Sequence, residues 1–378
     1  MAHDHRTTPP HESNNASNGP EQGDCVAHFD IFYHQRLNAH GDLIDPLSPV
    51  VQSAELLISL YRAMVQTRTF DSKTVALQRT GKMGTFSSSL GQEAVGVAIG
   101  SAMRPEDVLL PTYREVGAQF LRGVTMTEIL LYWGGDERGM AFTHQAEDFP
   151  TSVPIATQVP HAAGVATAMK LRQQPRVAVV TLGDGATSKG DFYEGINLAG
   201  AWQLPMVTVV VNNQWAISVP RAAQTHASTL AQKAIAAGVP GEQVDGNDVI
   251  ALYERLTLAL DKARRGEGPT LIEAITYRMS DHTTADDASR YRSGEELERQ
   301  KLYDPITRMK KYLLQQNLWT ESQDESLKAE CSAKMEEAVR LYLDTPPRPP
   351  ETMFDYLYET LPHAYHAQRA ELTKVGGG

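Results

Sequence analysis

Two hydrophobic periods alternate along this chain. Over residues 54–79 apolar positions recur at helical spacing, with Leu56, Leu57, Leu60, Tyr61 and Met64 on one face and Thr80-Gly81 as a stop. Short, mainly apolar runs follow at 108–110, 176–182, 206–211 and 270–276, the signature of strands buried on both faces. Helical patterns lie between them: one opened by Gly91-Gln92-Glu93-Ala94 and ended by Pro105-Glu106-Asp107, then 125–133, 161–172, 191–201, 229–237 and 248–265. In 191–201 the small residues Gly195, Ala199 and Gly200 permit close packing. The alternation predicts an α/β fold, a mainly parallel sheet with helices on both faces.

The remaining segments read differently. Residues 37–49 are turn-rich, with Ala39-His40-Gly41-Asp42 as a hairpin turn. Residues 134–154 form an irregular stretch of a length that usually signals function. Residues 282–293 are polar and read as a mobile loop; charged amphipathic helices follow at 295–316 and 320–343. Thr345-Pro346-Pro347-Arg348-Pro349-Pro350 is a stiff spacer. A last helix is expected at 353–361, presenting Phe354, Leu357, Tyr358 and Leu361 to another subunit. The expected divisions are a disordered tail and lead-in (1–36), a main domain (37–345), and a spacer with a C-terminal helical extension (346–378).

Composition narrows the class. The 378 residues are 41% hydrophobic, ample for a core, and the net charge of −11 argues against a nucleic-acid partner. The two cysteines, Cys25 and Cys331, lack the spacing of a disulfide framework or zinc site and suit a reducing compartment. No apolar run is long enough for a membrane span. The N-terminal residues, to about Val26, lack the pattern of a signal or transit peptide, so a cytoplasmic location is expected. His3, His5 and His11 there read as solvated rather than as metal ligands.

Candidate chemistry lies where two apolar runs end. Gly183-Asp184-Gly185 follows one and Asn212-Asn213 the next, placing Asp184 and Asn213 29 positions apart. Either motif alone is a common turn. Together, at the carboxyl ends of parallel strands, they can bring a carboxylate and a carboxamide to one Mg2+ carrying a diphosphate. A backbone carbonyl just beyond, at Trp215, is the expected third ligand. The glycines allow close backbone approach to phosphate, and the helix that follows offers free N–H groups. Gly183 to Ser188 departs from a dinucleotide fingerprint, with Ser at the third Gly, and no GxxxxGK[ST] loop exists. Tyr113 and Arg114 also follow a buried run. Arg114 can bond a diphosphate oxygen, or merely pair with Glu115 at the surface.

The segment GDGATSKGDFYEGINLAGAWQLPMVTVVVNNQWAISVP resembles the thiamine-diphosphate motif in the α subunit of 2-oxoacid dehydrogenases, the decarboxylating components of the pyruvate and branched-chain complexes. The resemblance spans residues 37–361 and includes GQEA, LPTYREVG, IATQVPHAAG, VDGNDV, GPTLIEAITYR and HTTADDASRYRS. It implies that Tyr113, Arg114, Gly183, Asp184, Gly185, Ala186, Asn213 and Trp215 serve thiamine diphosphate and Mg2+. It places Ile155 against the aminopyrimidine; Val153 is expected near the cofactor, and Phe86, Val153 and Ile155 are expected to shape the substrate pocket. It makes His282 the catalytic histidine of the mobile loop, also near the cofactor, stabilising the bound 2-oxoacid and helping transfer to lipoamide. Arg278, Asp286, Tyr291 and Arg292 resemble the residues that order that loop. Thr283 and Ser293 lie where mammalian relatives carry regulatory serines, though Thr at the first position departs from that pattern. His144 is a further candidate for the active site. Glu93 is read as a helix-dipole residue rather than a catalytic acid.

The glutamate that activates the cofactor's pyrimidine belongs, in this family, to a β subunit, and no matching motif occurs here. The resemblance therefore implies a half-site completed in an α2β2 heterotetramer, serving a lipoyl-bearing acyltransferase. Val116 after YRE and the string NNQWAIS occur in branched-chain enzymes and in Gram-positive-type pyruvate enzymes. TSKGDFYEGINLAGA, TLAQKAIAAGVPG and GEGPTLIE tilt the reading to pyruvate, with branched-chain 2-oxoacids the alternative and acetoin more remote. The reading from another class is a non-catalytic scaffold subunit.

Overall fold

The computed structural model describes residues 25–375, so the expected tail with its three histidines lies almost wholly outside the described residues, as does Gly376-Gly377-Gly378. The chain divides into one unit ending at Asp30 and another beginning at Ile31. The second carries everything below.

Its strands are β1 (Tyr33–His34), β2 (Val108–Leu110), β3 (Ala178–Gly183), β4 (Met206–Asn212), β5 (Trp215–Ala216), β6 (Val219–Pro220), β7 (Gly241–Asp245) and β8 (Thr270–Ile275). Six form one sheet in the order β1-β7-β8-β4-β3-β2, every pairing parallel; β5 and β6 make a small antiparallel hairpin. The four apolar runs are thus adjacent strands.

Side chains leave a strand alternately to its two faces, so each run feeds two cores. Val179, Val207, Val209 and Val211 pack with Leu57, Leu60, Ile99 and Leu256 from the helices Ala54–Arg79, Glu93–Ala102 and Val249–Arg264. Val180, Leu182, Met206 and Val210 pack with Ala162, Ala166, Ile196 and Ala199 from the helices Gln158–Leu171 and Gly190–Ala201. Each fully buried Val or Leu is worth roughly 1.5–3 kcal/mol over exposure. The strands that carry the site are therefore anchored from both faces.

Register then sets the geometry. Gly183 pairs with Val211 across β3 and β4, and Asn212 with Ile275 across β4 and β8. Asp184 and Asn213 consequently step off neighbouring strands at the same carboxyl edge. The expected turn near Gly41 forms, closed by a Leu37–Leu43 bridge; Gly41 sits at φ +85°, where an added Cβ would also meet the Arg308 carbonyl at 2.8 Å.

Several boundaries move. The helix expected at 161–172 starts at Gln158, and the one at 229–237 is a 3-10 helix, Ala231–Ala237. The expected helix 295–316 is two, Gly294–Lys301 and Pro305–Gln315. Pro305 lacks an N–H and disfavours helical Asp304, whose carboxylate instead caps the second helix through the Thr307 N–H at 2.8 Å. The helix expected at 353–361 is absent. A 3-10 turn, Pro350–Phe354, precedes irregular chain, and the terminal helix is His363–Val375. Pro362 disfavours a helical Leu361 and stands just before the terminal helix. Of the four residues assigned to that face only Phe354 is buried. Among the described residues no helix is long and apolar enough to cross a membrane.

Candidate active site

A cavity of about 610 Å³ opens at the carboxyl edge of β2, β3 and β4. Asp184 begins the turn after β3 and is only 2% exposed. Its carboxylate accepts the Gln224 side-chain N–H at 2.5 Å, its one side-chain partner among the described residues. Burial pushes its pKa up. Such a carboxylate stays charged where a cation compensates it. Gly183 presents open space where a Cβ would point, while at Gly185 a Cβ would lie 2.6 Å from that of Ala216. The second glycine lets the β5–β6 hairpin close over the turn.

Asn213 leaves β4. Its amide nitrogen donates to Gln92 Oε1 at 3.1 Å, and its oxygen accepts the Trp215 N–H at 3.3 Å. That network assigns the amide orientation. The Trp215 carbonyl accepts Arg278 Nη1 at 3.0 Å and keeps a second lone pair. Among the described residues no group of three His, Cys, Asp or Glu is arranged for a metal. One carboxylate, one amide oxygen and one carbonyl form a hard, sparse donor set, suited to an ion that keeps waters and phosphate oxygens, as Mg2+ does.

Two guanidiniums face the same space. Arg114 bonds the carbonyls of Ser88 at 2.5 Å and His282 at 2.6 Å. It does not pair with Glu115, whose carboxylate accepts the N–H and hydroxyl of Thr112. Arg278 donates to the Trp215 and Ile217 carbonyls, the latter at 2.8 Å, and to the Tyr291 hydroxyl at 3.1 Å. Burial, and for each a like-charged neighbour, lowers both pKa values. Two buried cations without a carboxylate partner make this an anion site.

His282 sits against both. Its Nδ1 lies 3.1 Å from Arg114 Nη2 and 3.4 Å from Arg278 Nη1. Since a guanidinium only donates, Nδ1 is the acceptor and Nε2 carries the hydrogen. Burial, then Arg114 and Arg278, push its pKa down to about 4, so the ring is neutral at pH 7. Its backbone N–H is held by Asp286 at 2.9 Å, and Asp286 also accepts the Tyr291 hydroxyl. Arg292 donates to the carbonyls of Arg278, Met279 and Ser280. The expected mobile loop is thus tied to the strand ends.

Tyr113, Val153, Ile155 and Ala186 also line the cavity, as do Gly183 and Gly185. Every residue expected at cofactor or metal is brought together; Asp286, Tyr291 and Arg292 lie behind. Phe86 is fully buried behind Trp133, rings 5.2 Å apart, and it is Trp133 that faces the cavity. His144 is exposed beside Gly123, outside the cavity. Glu93 is buried and accepts Arg68 and the Gly91 N–H. Ser293 caps the helix Gly294–Lys301 through the Glu296 N–H, and Thr283 reaches the cavity wall.

Three buried polar atoms on the wall have no partner among the described residues: Gln92 Nε2, Gln158 Oε1 and Arg278 Nε. Unpaired buried donors and acceptors are costly, and here they lie in the packing of the cavity wall. Backbone strain collects here too, with positive φ at Ala156 (68°), Gln214 (73°) and Ile217 (54°).

The dehydrogenase E1 component family model matches residues 61–351. The chain belongs to the dehydrogenase E1 component family. The pyruvate dehydrogenase E1 component subunit alpha of Acholeplasma laidlawii is 42% identical over 287 residues, 76% of this chain and 83% of that one. The 3-methyl-2-oxobutanoate dehydrogenase subunit alpha of Mycobacterium tuberculosis is 43% identical over 319 residues, 84% and 87% of the two chains. The pyruvate dehydrogenase E1 component subunit alpha of Staphylococcus aureus is 39% identical over 329 residues, 87% and 89%. Sequence reasoning missed Gln92, Gln158 and Trp133 on the wall of this E1-family cavity, and Gln224, which bonds Asp184 from off that wall. Gln92 lay inside the quoted GQEA string, next to a helix start, and Gln158 inside IATQVPHAAG. For Gln224 and Trp133 no sequence signal singled them out.

Proposed function

We propose that the chain is the α subunit of a cytoplasmic 2-oxoacid dehydrogenase, decarboxylating its substrate on thiamine diphosphate and passing the acyl group to a lipoyl arm. One observation carries this reading: a buried carboxylate, a fixed amide oxygen and two uncompensated guanidiniums converge on one cavity at the strand ends. Residues 37–345 are the cofactor-binding domain. Asp184, Asn213 and the Trp215 carbonyl would hold Mg2+; Tyr113, Arg114, Gly183, Gly185 and Ala186 would take the diphosphate; Ile155 and Val153 would bear on the aminopyrimidine. The bound cofactor supplies a nucleophilic carbon and an electron sink. His282 is the catalytic residue of this chain. As a neutral imidazole it donates from Nε2 to the 2-oxoacid without adding charge beside the two guanidiniums. Arg278, Asp286, Tyr291 and Arg292 order its loop, and the apolar wall keeps water out.

The acids lining the cavity, among the described residues, are Asp184 and Glu115. Both are engaged, which supports a β subunit as donor of the pyrimidine-activating glutamate. The cavity mouth supports the same reading: Val153 is 55% and Ile217 56% exposed, an apolar rim suited to burial by a partner in an α2β2 assembly. A lipoyl-bearing acyltransferase is then the next partner.

Pyruvate is the proposed substrate, favoured by the motif strings and by Trp133, backed by Phe86, as a bulky wall. The 43%-identical relative keeps branched-chain 2-oxoacids as the second reading. With the chain co-expressed with its β subunit, 2-oxoacid-dependent reduction of an artificial acceptor decides. Pyruvate should exceed 2-oxoisovalerate in kcat/KM by about tenfold or more; the reverse order transfers the assignment. No reduction with either acid, despite tight cofactor binding, would favour a scaffold subunit.

A further inference from the structure

Two buried charged residues outside the cavity meet both strand ends that carry the metal candidates. Glu273 lies in the middle of β8 and is 1% exposed. Its Oε1 accepts the Asn212 side-chain N–H at 2.7 Å, next to Asn213. Its Oε2 accepts the backbone N–H groups of Leu230 and Ala231, at 2.8 and 2.9 Å, and Gln243 Nε2 at 3.0 Å. Glu273 thus fixes the tip of β4 and the start of the 3-10 helix Ala231–Ala237 with one carboxylate.

That 3-10 helix carries Lys233, a buried lysine with no carboxylate in ion-pair contact among the described residues. Its ammonium donates to the Thr187 carbonyl at 2.9 Å and the Thr187 hydroxyl at 3.0 Å. The Thr187 hydroxyl in turn donates to the Asp184 carbonyl at 2.7 Å. Asn212, Glu273, Lys233 and Thr187 are all absent from the cavity wall. Burial, then Arg221, lowers the lysine's pKa, and Glu273 opposes the shift.

We infer that Glu273 and Lys233 form a brace that sets the spacing between Asp184 and Asn213, making them positioning residues for the metal without contact to it. The chain of contacts runs from Asn212 to Glu273, through the segment 230–233, to Thr187 and the Asp184 backbone. The inference rests on the Mg2+ assignment made above. It predicts weaker metal binding with little change in turnover once the metal is saturating. Outer partners of metal ligands typically contribute about 10–100-fold in affinity.

The test uses the αβ complex with thiamine diphosphate at fixed concentration. Mn2+ affinity is read by electron paramagnetic resonance, and kcat at saturating Mg2+ is measured separately. Lys233→Met is expected to weaken Mn2+ by about 10–100-fold and to leave kcat within about twofold once Mg2+ saturates. Thr187→Val, which keeps side-chain shape and removes the hydroxyl, should do the same, and Thr187→Ser should restore wild-type affinity. If Lys233→Met fails to assemble, the Thr187 pair decides. Asp184→Asn separates the two readings. Wild-type Mn2+ affinity in Lys233→Met or Thr187→Val, with loss in Asp184→Asn, overturns the brace alone. Undiminished affinity in Asp184→Asn overturns the metal assignment beneath it.

Discussion

A neutral histidine between two arginines is the least stable-looking feature of the site, and it has a pH consequence. His282 titrates near 4 in the folded chain, below its ordinary 6.5, because it is buried and faces Arg114 and Arg278. Above pH 6.5 the ring is neutral in folded and unfolded chains alike. As pH falls from 6.5 toward 4 the unfolded chain takes up the proton first, so folding loses stability across that window and no further below it. In the cofactor-free complex, wild type should lose more melting temperature between pH 7 and 5 than His282→Gln, which cannot titrate. Parallel curves for the two would contradict the burial of His282 between the guanidiniums. At this scale much was legible: Asp184, Asn213 and Arg114 each follow an apolar run, and His282 opens a quoted motif just past another. Gln92 and Gln158 were not, because an amide's role depends on what faces it. Nor could sequence place Phe86 behind Trp133 or remove His144 from the cavity.

Elements divide by how much of their signal is local. β2, β3, β4 and β8 are mainly apolar runs, β8 broken by Glu273, and were readable directly. β1 has two residues, and β7 reads Gly-Glu-Gln-Val-Asp, so their pairing comes from the sheet and not from their own pattern. At 353–361 Phe354, Leu357, Tyr358 and Leu361 keep helical spacing, but among them only Phe354 finds a buried face, so packing within this chain supports no helix there. The irregular stretch 134–154 is the opposite case: apart from one 3-10 turn, Glu137–Met140, it has no repeating structure and yet is firmly held. Asp148 accepts the Leu109 N–H at 2.8 Å and binds Arg122 through two bonds, at 2.5 and 2.9 Å, tying the stretch to β2 beside the cavity. Both side chains are buried. Asp148→Ala leaves Arg122 uncompensated and should cost about 3–5 kcal/mol in chemical denaturation. A loss under about 1 kcal/mol would mean that the pair is solvated and the stretch is held elsewhere.

For the whole molecule, the sheet order places the strand ends side by side, and everything chemical depends on that edge. The α/β class and the parallel sheet followed from the alternation of apolar runs and helices. The carboxyl-edge site followed from where the glycines and asparagines fell. The apolar rim at Val153 and Ile217 is exposed in this chain, and in the proposed α2β2 assembly a second subunit would cover it. The measurement that bears most directly on the site is a crystal structure of the αβ complex with thiamine diphosphate, with Mn2+ replacing Mg2+ and located by anomalous scattering. The expected result is one peak at the β3–β4 edge, ligated by the Asp184 carboxylate, the Asn213 amide oxygen and the Trp215 carbonyl, each within about 2.0–2.3 Å. A cofactor-loaded complex with the peak elsewhere, and Asp184 still bonded only to Gln224, would contradict it.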